Sequence, residues 1–204
     1  MRHGRRVLFV LMAAAAAMLA GCASAPTNFY TLQQSPAEHA RSSGAAPAFL
    51  IDVLPVAVPA QVDQLQLLVR QSEQRVIVLD TEHWAAPLAT ELRSALAADL
   101  VDALGTRDMH GLAHAPGTPL YRIQLDVRRF DSWPARHALI EADWSIRGEA
   151  EHALATCTSS AVETVAPGYD ALVQGHQRAI AHIAGDIAAV LRNIHAGTVA
   201  SCPQ

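Results

Sequence analysis

Residues 121–128 read Tyr121-Arg122-Ile123-Gln124-Leu125-Asp126-Val127-Arg128, and residues 140–147 read Ile140-Glu141-Ala142-Asp143-Trp144-Ser145-Ile146-Arg147. In both stretches apolar side chains alternate with charged or polar ones. Successive side chains of a strand point to opposite faces, so each stretch has one face for a core and one for water. The two predict neighbouring strands of an antiparallel sheet, with Ser132-Trp133-Pro134 beginning the connection between them. A third strand is expected near residues 152–165.

On either side of these strands the apolar period changes. Leu88, Leu92, Leu96, Leu100 and Leu104 recur every four residues, behind Pro87 at a favoured first helical position and ahead of Gly105 as a stop. Leu172, His176, Ile180, Ile183, Ile187, Val190 and Ile194 are spaced by threes and fours, which predicts a long helix over about 169–195. Upstream, residues 49–58 are apolar on both parities, as in a central strand, and Pro59 closes them. Residues 67–71 and 75–79 flank Ser72-Glu73-Gln74 as a hairpin. Strands with one-sided alternation, interrupted by two amphipathic helices, predict an α+β two-layer sandwich: a largely antiparallel sheet with two long helices on one face.

The N-terminus carries different information. Arg2, Arg5 and Arg6 precede an apolar run over residues 7–20 that ends in Leu19-Ala20-Gly21-Cys22. A basic start, a short apolar stretch and small residues before a cut describe a signal peptide over 1–21. The run is too short for a comfortable bilayer span, which needs about 20 residues. Leu-Ala-Gly-Cys is the lipobox order, with Cys22 as the acylated new N-terminus; Ala23 stands where aspartate would be the inner-membrane retention signal, so the outer membrane is expected. Residues 22–48, rich in Ser, Pro, Gly and Ala, read as the lipidated N-terminus and a flexible tether, interrupted by the β-prone cluster Asn28-Phe29-Tyr30-Thr31-Leu32. The folded domain is expected over 49–195 and a C-terminal tail over 196–204. Removing 1–21 takes away three arginines and leaves twelve against 19 acidic residues, a net charge of −7. That balance argues against a nucleic-acid partner and against a polybasic lipid patch.

Cys157 and Cys202 remain as two thiols of an exported chain, either paired as a disulfide or both free. A two-cysteine metal site lacks its other ligands, and no metal or cofactor is expected. The chain has no nucleophile elbow, HExxH helix, P-loop or dinucleotide fingerprint. Asp80-Thr81-Glu82-His83-Trp84 gathers two carboxylates and an imidazole, but neighbours in a turn point in different directions, and a turn anchored by Trp84 is the simpler reading. His176 falls on an apolar seam and reads as a hydrogen-bonded core histidine, and Trp144 shares the parity of the core. Trp133, beside Pro134, reads either as structural packing, the favoured reading, or as an exposed contact residue, with Arg128, Arg129 and Arg136 as neighbouring anchors in the second case.

The order of motifs is recognisable as a series. After the lipobox come Phe29-Tyr30-Thr31-Leu32, Val58-Pro59, Leu68-Val69-Arg70, Val76-Ile77-Val78, His83-Trp84-Ala85-Ala86-Pro87-Leu88 and Gly168-Tyr169-Asp170-Ala171-Leu172. This series resembles the ABC-type transport auxiliary lipoproteins, the family of the intermembrane transport lipoprotein of the paraquat-inducible system, from Cys22 to about Ile194. The stretch after Pro59 departs from it: Val62-Asp63-Gln64 keeps an apolar residue and the aspartate but lacks the Arg-Pro that relatives carry. The resemblance implies a non-catalytic component of a lipid-transport system, held at the periplasmic face of the outer membrane. Its partner would be a membrane-anchored substrate-binding protein with MCE domains, served by an inner-membrane ABC permease, with self-association as a further option. The Val62-Asp63-Gln64 loop would contribute to that partner surface. A lipoprotein that assembles another outer-membrane complex and a lipid-anchored periplasmic enzyme are the competing classes.

Overall fold

The computed structural model describes residues 26–34, 47–114, 116–148 and 152–203; Cys22, the leader 1–21 and residues 35–46 of the expected tether lie outside them. The elements run β1 (Asn28–Tyr30), β2 (Leu50–Val53), β3 (Gln66–Ser72), β4 (Arg75–Trp84), α1 (Leu88–Leu104), β5 (Leu120–Trp133), β6 (His137–Arg147), β7 (Ala153–Thr164) and α2 (Tyr169–His195). They form the expected α+β sandwich, with the strands divided between two sheets. One has the order β2-β5-β6-β7 and the other β1-β4-β3. Hairpin neighbours pair antiparallel, whereas β2 joins β5 and β1 joins β4 in parallel. A parallel neighbour needs a long crossover, and β3, β4 and α1 together supply it between β2 and β5.

The alternation of residues 121–128 and 140–147 does what it predicts. Ile123, Leu125, Ile140, Trp144 and Ile146 are buried together with Leu92, Leu96 and Leu100 of α1 and Ile180, Ile183 and Ile187 of α2. α2 lies across β6 and β7, and α1 packs on α2 and reaches β2. The approach of α2 to the sheet is closest at Gly175, where an added Cβ would come within 2.3 Å of Val165 Cγ1 and 3.0 Å of Ala138 Cβ. α1 begins beyond Pro87, whose carbonyl accepts from the amides of Thr90 and Glu91, and it ends at Gly105 in the left-handed conformation at φ 62°.

Three elements differ from the sequence expectation. The strand expected over 49–58 keeps regular pairing only to Val53; Pro55 has no amide to give, and the chain continues beside β5 through Leu54 N to Ile123 O and an isolated bridge between Ala57 and Asp126. β4 runs on through Asp80–Trp84, which is strand rather than turn, because the β3–β4 register jumps from Leu68↔Val78 to Gln66↔His83. β5 likewise continues through Ser132 and Trp133. A register shift between Val127 and Arg129 leaves both arginines 128 and 129 exposed and returns Phe130 to the core.

Candidate functional site

Two buried carboxylates secure the segment around β1. Glu82 of β4 accepts from Asn28 Nδ2 at 3.0 and 3.1 Å, from Tyr30 Oη at 2.6 Å and from Thr81 Oγ1 at 3.2 Å. Burial alone would push its carboxyl up, but the hydrogen bonds from Tyr30, Asn28 and Thr81 outweigh it and hold the group below the usual carboxylate range. The same contact, with burial the larger cause, pushes the Tyr30 phenol well up. Glu91 of α1 accepts from Thr31 Oγ1 at 2.7 Å and from the Leu32 amide at 2.8 Å, and Leu32 itself is buried. Glu91 was not among the candidates read from the sequence. It stands three residues after Leu88, on the leucine seam, and that phase was the available signal.

A second polar group sits where β5 meets α2. His176 is wholly buried, stacks on Phe130 at a centroid distance of 4.0 Å, and shares a 2.8 Å hydrogen bond between its Nε2 and Ser132 Oγ. Its Nδ1 has no partner among the described residues. Asp131, also buried, receives Arg70 Nε at 2.8 Å and Arg129 at 2.7 Å. Each acid is spent on a structural donor, and each is reached by groups from a different element. The Asp80–Trp84 segment therefore forms no convergent pair with His83, whose Nε2 is buried without a partner among the described residues and whose ring meets Phe29 edge-on at 5.7 Å.

The residues read from the sequence as partner contacts divide in two. Trp133 is buried, 6% exposed, because β5 continues to that position: its ring lies under the Arg136 guanidinium at 4.4 Å and near that of Arg70 at 5.9 Å. Val62, 4% exposed, is a core residue as well. Trp133 is thereby a packing residue, which corrects its alternative reading as an exposed partner contact, and Val62 positions its loop instead of presenting it. Asp63, Arg128, Arg129 and Arg136 are exposed, and Gln64 is half-buried. An isolated bridge pairs Ala57, six residues before Asp63, with Asp126 of β5. Arg128 lies 3.6 Å from Asp126 and 3.4 Å from Asp143, two acids placed directly opposite each other across β5 and β6.

Cys157 on β7 and Cys202 on the tail are disulfide-bonded, with Cα atoms 5.5 Å apart. Surface hollows are small. One of about 330 Å³ lies between β1 and the start of α2, beside Phe29, Tyr30 and Asp170, and another of about 220 Å³ lies beside Leu50, Arg107 and Met109. Among the described residues no three His, Cys, Asp or Glu side chains gather as metal ligands. No helix among them is long and apolar enough to cross a membrane.

Two solved structures share this fold. One, described only as an uncharacterized protein, superposes with a TM-score of 0.64 at 17% identity, over 82% of this chain and 99% of its own. The other, from Xanthomonas campestris, gives a TM-score of 0.57 at 17% identity, over 76% of this chain and 89% of its own. Among curated proteins nothing matches. The family model for the ABC-type transport auxiliary lipoprotein component matches residues 30–188, from the end of β1 into the last turns of α2. The chain thus belongs to the family of ABC-type transport auxiliary lipoproteins.

Proposed function

We propose that this lipoprotein is anchored by an acylated Cys22 to the periplasmic face of the outer membrane. There it serves as the non-catalytic docking component for the MCE-domain protein of an intermembrane lipid transport system. The observation that carries the reading is the family match over residues 30–188. The bonds made by the buried groups are consistent with it: Glu82, Glu91, Asp131 and His176 hold elements together. The docking band of this reading is drawn from exposed Asp63, Arg128 and Arg129 with half-buried Gln64. Arg129 also neutralises buried Asp131, so Arg128 and Asp63 are the cleaner probes of docking.

Two measurements test this reading. Cys22→Ser releases the protein from the outer-membrane fraction; a variant that still sediments there removes the anchor from the proposal. Arg128→Glu with Asp63→Arg weakens capture of the MCE partner about tenfold, about 1.4 kcal/mol, at an unchanged melting temperature. Normal capture by the double variant rejects this band as the docking surface.

A further inference from the structure

The pairing of β1 fixes where an anchor at Cys22 attaches to the domain. Asn28, Phe29 and Tyr30 pair in parallel with Glu82, His83 and Trp84, and the two carboxylates described above hold them there. A chain running parallel to β4 enters from the side of the β3–β4 hairpin. Only five residues lie between Cys22 and Asn28. Whatever their conformation, the six steps from one to the other reach at most about 20 Å. From Glu82 back to Arg75 the strand β4 itself covers about 20 Å. An anchor at Cys22 can therefore stand no farther from β1 than the hairpin tip does.

That end of the molecule carries apolar and cationic groups together. Val76 and Val78 are 44% and 45% exposed, whereas exposed Phe29 pairs with His83 at the other end of β4. The β5–β6 turn lies at the same end, since Arg70 of β3 bonds Asp131 and stands beside Trp133. Arg136 on that turn and Arg75 at the hairpin are both exposed. β1 covers β4 only at residues 82–84, so the edge of β4 at its hairpin end carries no strand among the described residues.

We propose that the hairpin end of the domain, with Val76 and Val78 flanked by Arg75 and Arg136, rests on the lipid bilayer surface. The inference depends on the Cys22 anchor of the preceding section and goes beyond it by orienting the domain. Valine side chains enter the headgroup boundary, the guanidinium groups meet lipid phosphates, and the short span from the acylated cysteine holds the face down. Arg136, read from the sequence as a partner contact, belongs on this account to the membrane face. The opposite end, where the Leu50 amide donates to the Pro119 carbonyl and Asp108 bridges Ile51, points into the aqueous space.

The test compares hydrogen–deuterium exchange of the full acylated protein in vesicles of phosphatidylethanolamine and phosphatidylglycerol with that of Cys22→Ser in solution. Mass spectrometry of the N-terminal peptide first establishes acylation; its absence overturns both the anchor and this orientation. With acylation present, the expected result is exchange slowed several-fold at residues 73–78 and 134–136 and unchanged at residues 106–114. Val76→Asp with Val78→Asp, both at exposed positions, should abolish the slowing without altering the melt. A long Gly-Ser insertion after Ser24 should weaken it. Equal exchange at the hairpin in vesicles and in solution overturns the orientation alone. Concentration-dependent slowing at the hairpin in the Cys22→Ser protein would assign the face to a second copy and likewise overturn it.

Discussion

His176 has no exposed surface, and burial pushes its imidazole from 6.5 down to about 3, against an opposing pull from Asp131. Between those values the unfolded chain binds the proton and the folded chain does not. The stability held by the neutral ring is complete above 6.5 and is lost as pH falls toward 3, about 3 kcal/mol by pH 4. Asp99 works in the opposite sense. Its carboxyl is pushed from 3.8 up to about 6 by burial and by Asp102, so its charged form opposes folding above that window. Denaturant titrations at pH 7, 5.5 and 4 separate the two. His176→Phe keeps a ring against Phe130 and should flatten the acid limb, at some cost from the unpaired Ser132 hydroxyl. Asp99→Asn should stabilise the protein at pH 7 by about 1 kcal/mol, solvent screening much of the effect at a half-exposed group, and should steepen the acid limb. An acid limb unchanged in His176→Phe would show that the imidazole does not set it.

Between elements, the close packing of α2 on the sheet depends on the absence of a side chain at Gly175. Gly175→Ala drives a methyl toward Val165 and Ala138, neither of which has a flexible end to swing away. The helix must lift from β6 and β7, and the expected loss is about 2–3 kcal/mol, read as a lower denaturation midpoint. Gly185, on the same helix with nothing within 4 Å, is the control: Gly185→Ala should be neutral or stabilising. The disulfide ties β7 to the tail across a sequence separation of 45, and Cys157→Ala with Cys202→Ala should cost up to about 4 kcal/mol, the chain-entropy value for such a loop. Non-reduced peptide mapping would find the linked pair in the exported protein; two free thiols there would remove the predicted loss. These elements were legible to different degrees. Both helices have near enough the bounds that Pro87, Gly105 and the isoleucine seam announce, because their signals are local. The continuation of strand through Trp133 and through Asp80–Trp84 is not legible locally, because it is set by neighbours distant in sequence. β3 lies over the end of β5, and a register jump between β3 and β4 prolongs a strand that alternation alone would end. The bulge at Val127–Arg129 hid the continuation of β5 for the same reason. Nothing in its own sequence says that two exposed arginines are followed by a buried phenylalanine.

For the whole molecule, the boundary between tether and domain is a statement about two buried charges. Residues 28–32 stand ahead of the main folded block, yet Glu82 and Glu91 accept hydrogen bonds from Asn28, Tyr30, Thr31 and the Leu32 amide. The attachment is reinforced by Ala85 N to Tyr30 O at 2.7 Å and by Gln177 Nε2 to Thr31 O at 3.1 Å. Cutting the chain at residue 47 strips both carboxylates of these donors and opens the site filled by Leu32. An unpaired buried carboxylate is far costlier than a lost neutral hydrogen bond, and burying one without its partner is typically destabilising by about 3–5 kcal/mol. Part of that is recovered if water reaches Glu82 and Glu91 in the shortened chain. A protein starting at residue 26 should therefore melt like the mature chain, and one starting at residue 47 should melt at least about 10 °C lower, taking a shift of about 3 °C per kcal/mol for this size. Glu82→Gln with Glu91→Gln in the shorter protein should restore part of the loss, because neutral amides are less costly to bury than charges. Equal melting of the two truncations would show that residues 28–32 merely lie on a self-sufficient domain, and the short reach from Cys22 to the folded unit would then no longer hold.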